Sequence, residues 1–277
     1  MSFRYGSVVT SLRSLRGDPV TADVVPTVAG LPYRAGGPLA DIYVPAGARA
    51  SVVLVHGGAF VLGSRRMKPM RYLAAKLTAA GLAVCAIDYR MIFRGGRLAE
   101  ATTDVADAFA FWAARAPAFG LDPAQISMVG LSAGATLALL AGARCEGLAS
   151  LVSCFGLYEI DHLRGPAALL PRLLFATADR AAWTARSPRH AAQPTAPVLL
   201  LHGTDDGLVP AAQAERLAAH RASLGLPTRL VIYDGAPHGF FNLAHLPAAE
   251  AGAHEIVGHA LAATSAGASA PARSSTK

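Results

Sequence analysis

Short aliphatic runs alternate with alanine-rich stretches of mixed polarity along most of the chain. The runs at 51–58 ("SVVLVHGG"), 82–89 ("LAVCAIDY"), 125–132 ("QISMVGLS"), 148–156 ("LASLVSCFG"), 197–204 ("PVLLLHGT") and 228–235 ("TRLVIYDG") read as strands. They are too continuously apolar for a sheet with one wet face, so burial on both faces is predicted. Between and after them, 71–81, 102–120, 135–144, 211–225 and 250–264 carry helical spacing. This alternation predicts an α/β fold, a mostly parallel twisted sheet with helices on both faces and right-handed crossovers. The segment 39–47 ("LADIYVPAG") reads as an antiparallel edge strand leading in.

Two segments stand outside the alternation. Residues 1–33 are mixed and precede the first strand, and 157–194 are too long for a simple connection and carry a helical pattern of their own. Long insertions in compact domains commonly form lids or binding loops. The expectation is a single domain over 1–264, with a small cap from the N-terminus and the 157–194 insertion. A disordered tail is expected over the small, polar 265–277 stretch ("SAGASAPARSSTK").

Composition narrows the classes. With 277 residues, 53% hydrophobic and 16% charged, the chain can bury a large core, which excludes a disordered binder. The net charge of +7 comes from short, interrupted basic clusters at 13–16, 64–68 and 90–97, a solvated surface rather than a nucleic-acid stripe. Cys85, Cys145 and Cys154 lie in or near apolar stretches without a C-x-x-C pair, as buried free thiols do in a reducing compartment. The first nineteen residues hold no continuous apolar region, so a cytoplasmic location is expected. The uncharged stretch 127–143 is too short to span a bilayer and contains turn residues, so no stable membrane insertion is expected. Nothing in the sequence assigns an oligomeric state.

The chemistry centres on "GLSAG" (130–134), a G-x-S-x-G between a strand and a helix. Small residues at Gly130 and Gly134 permit a turn tight enough to project the Ser132 hydroxyl, a nucleophile that needs a base. His238, in the glycine- and proline-bounded loop "APHGFF" after the last strand, fits that role; the other histidines sit on helices or mixed segments, or in "HG" pairs where His56 and His202 read as loop-orienting. The acid is assigned to Asp206 in "HGTDDGLVP", with Asp205 as runner-up and Glu159 and Asp161 as lesser alternatives. The glycine-rich "VHGGAF" loop can aim the N–H groups of Gly58 and Ala59, with that of Ala133, at one oxyanion. Ala59 can still donate its N–H if its φ is negative, and on that condition the three-donor hole is expected to survive. Phe60, Leu131, Leu157 and Phe240 are the leading candidates for substrate walls, followed by Leu169, Leu170, Leu174, Phe175 and Phe241.

The set "HGGAF", "DYR", "GLDPAQISMVGLSAGATLALL", "HGTDDGLVP" and "PHGFF", in this order over about 50–245, resembles the α/β-hydrolase serine esterases similar to hormone-sensitive lipase. The resemblance implies a carboxylic-ester hydrolase with a cap, no cofactor and a small-molecule ester as substrate. Three departures accompany it: Ala59 where such esterases usually carry a third glycine, Leu131 where an acidic residue usually precedes the nucleophile, and "MIFRGGRLAEA" in place of a proline-rich stretch after "DYR". The expected activity is hydrolysis of short- to medium-chain or small aromatic esters through an acyl-enzyme. An amidase, formamidase or peptidase with the same residues stays open, as does a non-catalytic ligand-binding protein.

Overall fold

β-Branched and aliphatic residues fill the central strands, and alternate side chains enter opposite faces of the sheet. In the computed structural model, which describes residues 24–163 and 165–268, these strands are β3 (Ala50–Val55), β4 (Leu82–Ile87), β5 (Ile126–Leu131), β6 (Leu148–Cys154), β7 (Val198–Asp205) and β8 (Thr228–Pro237). They run parallel to one another, and β2 (Leu39–Tyr43) and β1 (Val28–Pro32) continue the sheet antiparallel in the order β1-β2-β4-β3-β5-β6-β7-β8.

The helices divide between the two faces. On one side, Val53, Val55, Met128 and Leu200 pack with Val105, Phe109 and Trp112 of α2 (Leu98–Arg115), Leu137 of α3 (Ala133–Gly142) and Leu217 of α6 (Ala212–Ser223). On the other, Val52, Leu54, Val129 and Leu201 pack with Leu73 and Leu77 of α1 (Lys68–Ala79) and Ile256 of α7 (Pro247–Ala268). Two large polar side chains inside these layers find partners, as burial requires. Trp112 Nε1 donates to Ser51 Oγ at 2.8 Å, and the buried Arg221 guanidinium donates to the carbonyls of Pro194, at 3.0 Å, and Ala196 and to Thr228 Oγ1. Arg221 thereby ties the entries of β7 and β8, the strands that carry two of the sequence-selected residues at their far ends.

One expectation is corrected here. The 39–47 strand is antiparallel, but it is not the sheet edge, because β1 pairs outside it with Val28 opposite Ile42 and Leu31 opposite Ala40. "VAGLP" has the composition of a turn, and only an edge tolerates it. The ladder is irregular between Val28 and Leu31, Gly30 has φ +67°, and Pro32 closes the strand. The Asp41 carboxylate accepts from the Gly30 N–H at 2.7 Å and so holds this irregular strand in place.

The 157–194 stretch forms short 3₁₀ turns, α4 (Leu169–Phe175) and α5 (Arg180–Arg186). Leu163, Leu174, Phe175 and Trp183 bury against the α2–α3 face. Its base is fastened by polar contacts: the Tyr158 and Glu159 N–H groups donate to Gln213 Oε1 at 2.8 and 2.9 Å, and Arg189 and Arg216 converge on the Glu159 carboxylate. Of the tail expected to be disordered, residues 265–268 continue α7 and 269–277 lie outside the described residues. Residues 1–23, the N-terminal share of the expected cap, also lie outside them.

Candidate active site

Ser132 stands between the end of β5 and the start of α3 with φ 51° and ψ −114°, a backbone conformation costly for a side-chain-bearing residue. The turn leaves no room for side chains on either flank. A Cβ on Gly130 would lie 2.4 Å from the Gly134 carbonyl oxygen, and one on Gly134 would lie 2.4 Å from the carbonyl oxygens of both Val55 and His56. The Ser132 N–H donates to Cys154 O at 2.9 Å, which fixes the turn to the neighbouring strand end.

The residues that sequence reasoning chose as its partners meet it. Ser132 Oγ lies 2.9 Å from His238 Nε2, and His238 Nδ1 lies 2.7 Å from Asp206 Oδ2. The second carboxylate oxygen, Oδ1, accepts from the N–H groups of Leu208 and Val209 at 2.9 and 2.7 Å. Burial works against the Asp206 charge, but His238 and the neighbouring His202 outweigh it and hold the carboxyl well below the usual carboxylate range. Asp205 points to solvent, while Glu159 binds arginines and Asp161 accepts from Ser187 and Thr184, so neither alternative reaches His238.

The loop after β3 brings Gly58 and Ala59 to the same place. Gly58 has φ +122°, where a Cβ would strike Leu62 O at 1.9 Å, and its carbonyl closes a turn by accepting from the Val61 and Leu62 N–H groups. The negative φ set as the condition at Ala59 is not found: φ is +52° there and +64° at Phe60. The tight turn forces two consecutive residues into the left-handed region, which explains why glycine suits the position and why alanine holds it under strain. His56 anchors the loop from beneath. It is fully buried, stacks on Tyr89 with ring centroids 4.3 Å apart, and donates from Nδ1 to Gly57 O at 2.7 Å. Burial keeps its pKa below the ordinary value.

These groups open on a cavity of about 360 Å³. Gly58, Ala59, Ala133, Ser132 and His238 lie in its walls with Phe60, Leu131, Leu157 and Leu170. Phe240 does not: it is fully buried beneath, against Phe155 and Tyr233, because the 3₁₀ turn after Gly239 directs it into the α1–α7 face. Phe241, Leu174 and Phe175 are likewise core residues, and Leu169 faces outward.

Sequence reasoning missed Phe155, which lines the cavity with φ +41° and sets its ring edge-on to His238 at 5.2 Å. Its place directly after a parallel strand was the available signal. Asn242 was also missed; its Nδ2 and backbone N–H both donate to Gly239 O, at 3.0 and 2.8 Å, and steady the loop that carries His238. Among the described residues, no Asp, Glu, Lys or Arg side chain appears in the cavity lining. Among the described residues, no cluster of three or more His, Cys, Asp or Glu is arranged to hold a metal ion, and no helix is long and apolar enough to cross a membrane.

The sheet order, the strained serine at the β5 turn and the residues gathered at the strand ends define the class: the chain is an α/β-hydrolase. Its relatives are esterases. A family model described as BD-FAE matches residues 40–155, which span β2 to the end of β6 and include Ser132. Esterase LipC of Mycobacterium tuberculosis is 31% identical over 217 residues, covering 68% of this chain and 52% of that protein. A probable isoprenylcysteine alpha-carbonyl methylesterase of Oryza sativa is 29% identical over 227 residues, covering 72% of this chain and 54% of the relative. The chain thus spans about half the length of these relatives. Among solved structures, an esterase of Pyrobaculum calidifontis superposes with a TM-score of 0.67 at 25% identity, over 95% of this chain and 91% of that one. Brefeldin A esterase, a bacterial homologue of human hormone sensitive lipase, superposes with a TM-score of 0.77 at 18% identity, over 94% and 85% of the two chains, a likeness of fold.

Proposed function

We propose that the chain is a serine carboxylesterase acting on uncharged short- to medium-chain or small aromatic esters. The observation that carries this reading is the continuous line from Ser132 Oγ to His238 Nε2 and from His238 Nδ1 to Asp206 Oδ2, opening on an apolar cavity. Ser132 Oγ attacks the ester carbonyl carbon while His238 Nε2 takes its proton. The N–H groups of Gly58, Ala59 and Ala133 receive the carbonyl oxygen as it gains negative charge, each such donor being worth about 2.7–4 kcal/mol in comparable sites. His238 then gives its proton to the departing alkoxide, leaving an acyl-Ser132. Water attacks that ester with His238 again as base, and the acid leaves.

The cavity sets the substrate class. About 360 Å³ is near the lower end of small-ligand sites, and the mostly apolar walls formed by the described residues disfavour a charged or hydroxyl-rich group. Leu163, Ala167 and Leu170 contribute one side of it, so the 157–194 segment serves as a cap that shields the acyl-enzyme.

The test is hydrolysis of p-nitrophenyl acetate, butyrate and octanoate by wild type and Ser132→Ala. Clear wild-type turnover that falls by several orders of magnitude in the variant is expected. No turnover of any of the three, or equal rates in the two proteins, would overturn the reading. The anilide of the best acid, run beside its ester, separates ester from amide preference.

A further inference from the structure

His202, in β7, is fully buried, and its Nε2 lies 2.8 Å from Val209 O and 3.1 Å from Asp206 Oδ2. That Oδ2 is the oxygen bonded by His238 Nδ1. The Nδ1 of His202 has no hydrogen-bond partner. A neutral imidazole carries one proton, and both acceptors sit at Nε2. With the proton on Nδ1, the Nε2 lone pair would face two oxygens and a buried N–H would go unsatisfied, so the Nε2–H tautomer is the one the surroundings select.

We propose that His202 is a positioning residue of this site, its Nε2–H edge clamping Asp206 Oδ2 to the 206–209 turn so that the carboxylate stays aligned on His238 through turnover. The inference rests on the serine-esterase reading above. Oδ1 is already held by two backbone N–H groups; Oδ2 would otherwise be held by His238 alone, the group whose charge changes during the reaction. The ionisable groups facing Asp206 come from three elements: His238 from the loop after β8, His202 from β7, and Tyr158 after β6. The Tyr158 phenol is pushed up by burial first and by the Asp206 charge last, and stays neutral. Beside the two backbone N–H groups on Oδ1, the two imidazoles stabilise the carboxylate at Oδ2, and His202 is the one not consumed in proton transfer.

The experiment compares His202→Phe and His202→Gln by kcat and KM on p-nitrophenyl butyrate, alone and with Asp206→Asn. Glutamine's amide nitrogen reaches the Nε2 position; phenylalanine fills the space without a donor. His202→Phe is expected to lower kcat about ten- to hundredfold, the effect of losing a hydrogen bond to a charged group. KM should change less than about twofold, and His202→Gln should recover most of the loss. On the Asp206→Asn background the same Phe substitution should cost less than about twofold, because the pair acts as a unit. If His202→Gln is as poor as His202→Phe, or if the Phe substitution costs the same factor on both backgrounds, the clamp is refuted. Should His202→Phe not fold, His202→Asn replaces it, since its amide ends at the Nδ1 position and leaves Oδ2 unclamped.

Equal ester turnover by wild type and Ser132→Ala would instead sink the esterase reading. The clamp is then judged by imidazole ¹⁵N spectra. Asp206→Asn should shift the His202 Nε2–H resonance, and an unmoved resonance would refute the contact.

Discussion

Gly134→Ala adds one methyl group two residues past the serine. Its Cβ would lie 2.4 Å from the carbonyl oxygens of Val55 and His56, both backbone atoms at the end of a central strand. Real Cβ contacts essentially never fall below 3.0 Å, so the serine turn and the β3 end must separate by about 0.6 Å or more. No flexible side chain can absorb that shift. The loop bearing Gly58 and Ala59 begins at this point, and Gly57 is so close to the serine that a Cβ there would sit 3.1 Å from Ser132 Cβ. The displacement therefore passes directly into the distance between Ser132 Oγ and the N–H groups proposed to receive the oxyanion.

Misplacement near 1 Å costs about a hundredfold, and losing one oxyanion donor costs about 100- to 1,000-fold. We expect kcat on p-nitrophenyl butyrate to drop at least about a hundredfold, with a lowered melting temperature. Gly258→Ala in α7 is the control, since its Cβ meets nothing within 4 Å; it should leave kcat alone and stabilise the helix by up to about 1 kcal/mol. A Gly134→Ala protein with wild-type kcat and melting temperature would refute the steric argument.

Ala59→Gly should raise the melting temperature by a few degrees and hold kcat within about threefold, because it releases about 1–2 kcal/mol of left-handed strain at φ +52° while keeping the N–H; a lower melting temperature would contradict the strain at that turn. Acid should destabilise the fold through Asp41, Glu159 and Asp206, in each of which burial opposes the charge but basic partners outweigh it and depress the pKa. Unfolded carboxyls titrate near about pH 4, so this stability is present above that pH and is lost as pH falls toward the depressed native values. Urea midpoints from pH 6 to pH 3 should fall, less steeply in Glu159→Gln, and a flat wild-type profile would contradict the assignment.

The strands and helices were legible because each element's period is local. "SVVLV", "AVCAI" and "PVLLL" are continuous apolar runs, and continuous apolar runs are what a two-sided core requires. β1 was not legible, since "VAGLP" becomes a strand only through the edge position and the Asp41 bond to Gly30. Ser132, Asp206 and His238 could be selected because each sits in a turn whose small residues mark a strand end. Phe240 was misplaced for the opposite reason: adjacent aromatics after a glycine give no clue to whether they face the cavity or the core, and both Phe240 and Phe241 turn into the core. The φ of Ala59 was misjudged because alanine disguises a left-handed turn that glycine would have announced.

What the sequence determined by itself is what short-range sterics and periodicity encode: the α/β alternation, the direction of the sheet, and the residue types available at each strand end. Tertiary structure decided which of those residues meet. Asp206 rather than Asp205 reaches His238 because backbone N–H groups two and three residues on turn its carboxylate inward, and Asp205 is left to solvent. His202 touches Asp206 only because the 206–209 turn folds back over its own strand. Such contacts depend on distances between loops, and a one-dimensional pattern carries no record of them.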